Sequence, residues 1–446
     1  MNNIFYVDPS VIRECSAISS CSLVHGIVYS LLLFFILLTG FAYVTLLERK
    51  VLSFLQQRIG PNRAGPGGFL QPLADGLKLI FKEDVTPVGA DRAVFWLAPV
   101  LKTVPAILVV AVIPLGPPIL IPWFDGLWYR VSLGLGDVNV GVLYILAWMS
   151  LGTYGIVLAG WASNNKYSML GSLRASAQMV SYELSMGLTM AVPILITGSM
   201  AVKTIIDAQA TPAFFGWFVF QNPISAAILM IALLAETNRA PFDLPEAESE
   251  LTAGYHTEYS GMKFALFFMA EYISMISVSI IVIALFFGGY HFVLVDQVPL
   301  LGPLVFFIKV VLFLCGMIWV RATLPRIRYD RLMALGWKVM LPLALLAVSW
   351  TAVSLVIGDT FNSPALYFAV SAVFFVIVAV AVFVILRPKA ASQLGAEEVD
   401  LQPRGAGYII LQVIGALLSI PFILFGVTQK QVSNIQTALR PENKTR

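Results

Sequence analysis

Apolar runs long enough to cross a bilayer recur along this chain, and that recurrence limits the fold more than any other feature. They lie at roughly 24–46, 94–115, 140–161, 177–200, 216–236, 263–288, 300–320, 337–358, 365–386 and 406–427, each close to the length of about twenty residues that a spanning helix needs. Backbone N–H and C=O groups in lipid must find partners within the protein, so runs of this length are read as helices. The expected fold is all-α, a polytopic membrane helix bundle. Gly415, Pro421 and Gly426 interrupt the tenth run, which leaves a re-entrant or surface helix as the alternative there. Composition agrees: 59% of the residues are hydrophobic and only 12% are charged, a balance foreign to a soluble domain of this size.

Lys and Arg concentrate in the loops at 47–93, 162–176, 237–263, 321–338 and 387–405. Cytoplasmic loops carry such an excess, so these five should face the cytoplasm and the N-terminus the outside. Lys430, Arg440, Lys444 and Arg446 would then lie outside if all ten runs spanned, which goes against the same rule and again leaves the tenth run open. A net charge of +3, with no basic run interleaved with aromatics, excludes nucleic acid as a partner. Cys15, Cys21 and Cys315 are too few and too scattered for a disulfide framework, a zinc site or an iron-sulfur cluster. Walker, GxGxxG, HExxH and nucleophile-elbow patterns are also missing from the sequence. Asp8, Arg13 and Glu14 precede the first run where a signal or transit peptide would be basic, so that helix is expected to remain in the mature protein. His25, His256 and His291 are far apart and read as packed or boundary residues.

Two of the charged loops are too long and patterned to be plain connectors. In the first, Gly60, Pro61, Gly65, Pro66, Gly67 and Gly68 form a turn-rich segment. Phe69, Leu73, Leu77 and Ile80 then recur at helical spacing opposite Gln71, Asp75, Lys78 and Lys82, the pattern of a helix lying on the membrane surface; a simple interfacial anchor would look the same. The second loop runs acidic from Glu236 to Glu250 and on through His256 and Glu258, with Pro241, Phe242, Leu244 and Pro245 among the charges. Stiff and apolar residues in that company point to packing rather than solvation.

Ionisable residues inside apolar runs are the sharper signal, because each costs roughly 2.5–3.5 kcal/mol at a helix centre. Glu183 and Glu271 lie some way into the fourth and sixth runs, at depths of ~9 and ~12 Å for a rise of 1.5 Å per residue. Glu236 closes the fifth run on the same side, so the three carboxylates form a ramp from the acidic loop towards mid-bilayer. Burial and neighbouring charge both act on the protonation of such groups, which suits them to exchange protons; hydrogen-bonded packing is the plainer alternative. Lys309 is a further candidate proton carrier or counter-ion. Lys102 sits nearer the cytoplasmic end of its run, with a stem long enough to snorkel.

Named motifs follow the same order as these features. Glu48-Arg-Lys50, Gln57-Arg-Ile-Gly-Pro-Asn-Arg63, Gln71-Pro-Leu-Ala-Asp-Gly-Leu-Lys78, Ser181-Tyr-Glu183, Glu236-Thr-Asn-Arg-Ala-Pro-Phe-Asp-Leu-Pro-Glu246, Ala270-Glu-Tyr272 and Arg321-Ala-Thr-Leu-Pro-Arg-Ile-Arg-Tyr-Asp330 closely resemble the H subunit of NADH-quinone oxidoreductase (respiratory complex I). The resemblance extends from about residue 24 to about 358. It implies an eight-helix core over 24–358, after an N-terminal segment 1–23 and before a C-terminal extension 359–446 with one or two further hydrophobic helices. It also implies a subunit of the proton-translocating enzyme in the bacterial inner membrane, supplying most of the quinone chamber; the isolated chain is not expected to catalyse. By that likeness Arg49, Arg58, Arg63, Asp75 and Lys78 shape the quinone cavity from loop 47–93, and Arg239, Asp243, Glu246, Glu248 and Glu250 from loop 237–263. Glu183, Glu236 and Glu271 become the path coupling quinone reduction to pumping. The implied substrate is ubiquinone or menaquinone, with flavin, iron-sulfur clusters and any metal held elsewhere. The implied partners are the peripheral-arm iron-sulfur subunit, neighbouring small membrane subunits and lipid. Lys102 has no place in the family pattern. Rival readings are the related subunit of a membrane-bound hydrogenase, against which the complete first-loop motif argues, and a stand-alone secondary ion transporter, supported only by buried charge and helix count.

Overall fold

A computed structural model describes residues 12–14, 20–122, 128–136, 138–210, 216–243, 252–292, 295, 298–361 and 367–373. The chain divides into two units, Met1–Arg49 with Pro61–Arg387, and Lys50–Gly60 with Pro388–Arg446. The helices are α1 (Ser20–Leu55), α2 (Gln71–Ile80), α3 (Arg92–Leu108), α4 (Gly141–Ala162), α5 (Lys166–Thr197), α6 (Val202–Ala208), α7 (Phe218–Gln221), α8 (Pro223–Glu236), α9 (Gly261–Phe286), α10 (Gly302–Thr323), α11 (Tyr329–Leu335) and α12 (Leu341–Thr360). A small sheet was not foreseen: β3 (Trp128–Val131) pairs in parallel with β1 (Ile12–Glu14) and antiparallel with β2 (Ile119–Pro122).

Seven helices among the described residues are long and apolar enough to cross a membrane, and they cover the first four and the sixth to eighth apolar runs. Leu31, Phe35 and Ile36 on α1 are exposed, as suits a helix whose outer face meets lipid rather than water. The fifth run is not one helix. It breaks at Asn222–Pro223, leaving α8 fourteen residues long, or ~21 Å at 1.5 Å per residue. Proline starts a helix readily, and the Asn222 side chain caps α8 by accepting from Ser225 N at 3.2 Å. Its Nδ2 donates to Thr351 Oγ1 of α12 at 2.7 Å, so the polar groups freed by the break are satisfied within the bundle, as lipid depth requires. The 365–386 run is described only as the helical residues 367–373, and the 406–427 run lies outside the described residues.

Helix α9 is the axis of the core, buried without interruption from Ile280 to Phe286. A helix that is apolar on every side belongs inside. Its register against α3 is fixed by Thr103 Oγ1 donating to Leu266 O at 3.1 Å and Ser277 Oγ to Ala106 O at 2.9 Å. Pro99 has no N–H to give the Phe95 carbonyl, and Tyr259 takes that role, its hydroxyl at 3.3 Å and its ring stacked on Phe95 at 4.1 Å. Helix α4 approaches α3 where Gly155 has no side chain: a Cβ there would lie 2.7 Å from Lys102 N.

Candidate functional site

Helix α2 has no buried residue, and Phe69, Leu73, Leu77 and Ile80 are exposed along it, as expected of a surface-lying helix. Asp75 on α2 pairs with Arg49 near the end of α1 at 2.7 Å and accepts from Gln71 at 3.2 Å. Between α1, α2 and the start of α9 opens a cavity of ≈ 290 Å³. Arg49, Asp75 and Lys78 supply its charged groups, and Phe264, Phe268 and Met269 supply apolar wall. Three of the first-loop residues picked from sequence therefore meet in one place. Arg63 is exposed, and Arg58, also exposed, belongs to the Lys50–Gly60 unit, where its Nε donates to Gln56 Oε1 at 2.7 Å.

Behind Phe268 lies a buried charge network. Arg239 stacks over the rings of Phe268 and Tyr272, with 5.9 and 4.4 Å to the centroids. Its Nε meets Glu271 Oε1 at 2.6 Å and its second arm reaches to 4.0 Å from Glu48 Oε1. Glu48 also pairs with Arg321 and accepts from the Tyr272 hydroxyl at 2.6 Å. Glu48, Arg239 and Glu271 are all buried, and each faces a group of opposite charge, the arrangement buried charges require. Glu48 and Arg321 were not picked from sequence as site residues, although both stand in the quoted motifs. Glu48 falls just past the first apolar run and Arg321 just past the seventh, so neither counts as an ionisable residue inside a run.

Glu183 does not touch this network directly; it accepts from the Ser150 hydroxyl of α4. The link between them runs through Glu236 and Lys102. Glu236 is buried and lies near enough to Glu183 and Lys102 to feel both charges, and Lys102 feels Glu236 and Glu271. A cavity of ≈ 30 Å³, room for a water molecule, is lined by Lys102, Glu236, Trp148, Ser274 and Ser277 among others. The snorkelling expectation for Lys102 is overturned: the residue is 7% exposed and stands ten residues into α3, ~15 Å along the helix. Lys309 is likewise elsewhere. Its ammonium donates to the carbonyls of Phe287, Gly289 and His291 at 2.8, 2.9 and 2.9 Å and rests over Trp217, where it satisfies the carbonyl end of α9.

The described part of the second loop is packed, and Pro241 and Phe242 take part in it. Asp243 pairs with Arg326 at 2.9 Å, Ile327 N donates to Pro241 O at 3.1 Å, and buried Gln178 of α5 donates to Ala235 O and Phe242 O at 2.8 and 2.9 Å. Glu246, Glu248 and Glu250 lie outside the described residues. His256 is buried against Phe264 and Phe267; burial, with the Arg239 charge, pushes its imidazole down to about 3. It is therefore a neutral packed ring at physiological pH. Lys263, fully buried at the start of α9, meets Asp84 at 3.1 Å and Trp96 at 4.1 Å, pinning the end of the first loop to the core.

Residues 28–352 match the protein family described as NADH dehydrogenase. The second of the NADH-quinone oxidoreductase H subunits of Geobacter sulfurreducens is 49% identical over 326 residues, covering 73% of this chain and 94% of its own length. The H subunit from Protochlamydia amoebophila is 49% identical over 314 residues, 70% of this chain and 92% of that protein. Its counterpart in Thermomicrobium roseum is 48% identical over 322 residues, covering 71% and 92% respectively.

Proposed function

The chain belongs to the family of NADH-quinone oxidoreductase H subunits, and we propose that it forms the quinone chamber of that complex and couples quinone reduction to proton pumping through its buried carboxylates. One observation carries the reading: the cavity holding Arg49, Asp75 and Lys78 shares Phe268 with the Arg239–Glu271–Glu48 network, and that network continues electrostatically through Lys102 to Glu236 and Glu183. A cavity with an apolar wall and a few convergent polar groups suits an amphipathic head group such as a quinone. Arg63, Arg239 and Asp243, with Glu246, Glu248 and Glu250, complete the proposed chamber and its coupling loop.

Reduction of a quinone takes up two electrons and two protons, so negative charge builds transiently where little water screens it. Arginines answer with fixed charge and directed hydrogen bonds, whereas glutamates can change protonation state. At an effective dielectric near 20, two charges about 4 Å apart interact by ~4 kcal/mol, enough to move a neighbour's protonation. Charge appearing in the chamber therefore displaces Arg239 between Glu271 and Glu48, and the carboxylates beyond respond by taking up or releasing protons. The electron donor is an iron-sulfur group in a peripheral-arm partner, and small membrane subunits and lipid flank the bundle. The chain sits in the bacterial inner membrane with its N-terminus outside and its five Lys/Arg-rich loops towards the cytoplasm.

The test uses the complex isolated through a tag on this chain. Inhibitor-sensitive NADH-quinone turnover with flavin and iron-sulfur partners is expected; nickel-bearing partners would favour the hydrogenase relative instead. Glu236→Gln keeps the shape of the carboxyl and removes its proton, so the assembled variant should lose coupled pumping by about a hundredfold, the scale of a lost acid-base group. Pumping at the parental rate would overturn the carboxylate path.

A further inference from the structure

Lys102, a base among the buried carboxylates, lies near enough to both Glu236 and Glu271 to feel their charges. Lys102 stands ten residues into α3 and Glu271 ten residues into α9. The two helices pack together and are joined by the Thr103–Leu266 and Ser277–Ala106 hydrogen bonds. Lys102 and Glu236 line the same water-sized cavity. Opposite them Trp148, Met149 and Gly152 of α4 line the same cavity, and a Cβ on Gly155 would strike the Lys102 backbone. Helix α4 thus packs closely against α3 at that level, and the Lys102 side chain is held inside the bundle rather than at its surface.

We propose that Lys102 is the proton-carrying bridge between Glu236 and Glu271, with a water in the small cavity as its link to Glu236. The proposal rests on the coupling role given above to the carboxylates. In the step, an N–H bond of the ammonium breaks as an O–H bond forms on Glu271. The amine then regains a proton from Glu236 through the water, so Glu236 ends ionised, Glu271 neutral and Lys102 unchanged. A cation that served only as counter-charge would be replaceable by arginine, whose guanidinium does not release its proton; a bridge would not.

The experiment uses the whole complex reconstituted in vesicles, with Lys102→Met, Lys102→Arg and Glu236→Gln compared with the parent. Assembly is read from partner content and from NADH oxidation by an artificial acceptor that needs only the peripheral arm. Both lysine variants are expected to assemble, and both to lose coupled turnover by roughly tenfold or more, as for a missing proton carrier, with the pH profile of the residual turnover altered. Parental pumping and pH profile in Lys102→Met, or in Lys102→Arg, would overturn the bridge. If neither assembles, Lys102→Gln, which fills similar space with a neutral polar head, is judged by the same criteria. Glu236→Gln separates the two ideas: if it is impaired while Lys102→Met is parental, only the bridge falls, and if both are parental the carboxylate path falls with it.

Discussion

Glu48 joins three helices: it takes the Tyr272 hydroxyl from α9, pairs with Arg321 from α10, and lies on α1 beside Arg239. Removing one partner of a buried pair leaves the others uncompensated, at a cost of about 3–5 kcal/mol. Glu48→Ala should therefore lower the yield of assembled complex and the midpoint of its thermal inactivation. An unchanged midpoint would mean the network is solvated. The Arg49–Asp75 pair is much more open, with the Arg49 side chain 45% exposed, and such pairs contribute under ~1 kcal/mol. Asp75→Asn should accordingly leave thermal stability alone and raise the KM for quinone. His256 gives a pH prediction. Its ordinary value is 6.5 and its folded value about 3, so below pH 6.5 the unfolded chain binds a proton that the folded one refuses. Stability should fall as pH drops from 6.5 towards 3, by up to ~1.4 kcal/mol per unit from this group. His256→Gln should show a shallower acid loss of thermal midpoint than the parent; equal slopes would place the ring in water. At this scale the sequence revealed which charges are unusual but not their partners. Glu48 lies outside the apolar run, which stops at 46, yet α1 continues to Leu55 and Glu48 is buried.

Helix positions were legible because lipid demands continuous apolar runs, and seven of them appear as such helices. Breaks within runs were not, since average hydropathy is blind to them. The α7–α8 break is written only in Asn222-Pro223, a cap followed by a helix-starting proline. Glycine spacing carries similar detail at the α3–α4 contact. A Cβ on Gly155 would come within 2.7 Å of Lys102 N and 3.0 Å of Ala98 O, both backbone atoms that cannot step aside, whereas one on Gly152 meets nothing closer than 3.9 Å. Gly155→Ala should therefore push α4 away from α3 at a cost of about 1–3 kcal/mol, typical of overpacking, and Gly152→Ala should be near neutral. Thermal inactivation of the two assembled variants checks the pair, and equal midpoints would show that the contact has slack.

Over the whole molecule, motifs far apart in the chain converge: Glu48, Arg239, Glu271 and Arg321 meet, and Asp243 finds Arg326. The quoted motifs contain the members of this cluster, but its adjacency depends on how α1, α9 and α10 pack. The family match ends at 352, and three relatives are covered to 92–94% of their own length by 314–326 aligned residues, so the shared chemistry needs little beyond it. Residues 367–373 are nonetheless tied back to the bundle: Tyr367 Oη donates to Gln221 Oε1 at 3.2 Å, and the Val370 carbonyl accepts from Trp350 Nε1 at 3.0 Å. A cut among these contacts would strip partners from α7 and α12, next to the Asn222–Thr351 bond that holds the helix break together. A cut after Arg387 spares them. The chain truncated there should assemble and retain inhibitor-sensitive NADH-quinone turnover and pumping, whereas truncation after Thr360 should lower the yield of complex. Loss of pumping in an assembled complex lacking 388–446 would show that the extension takes part in coupling.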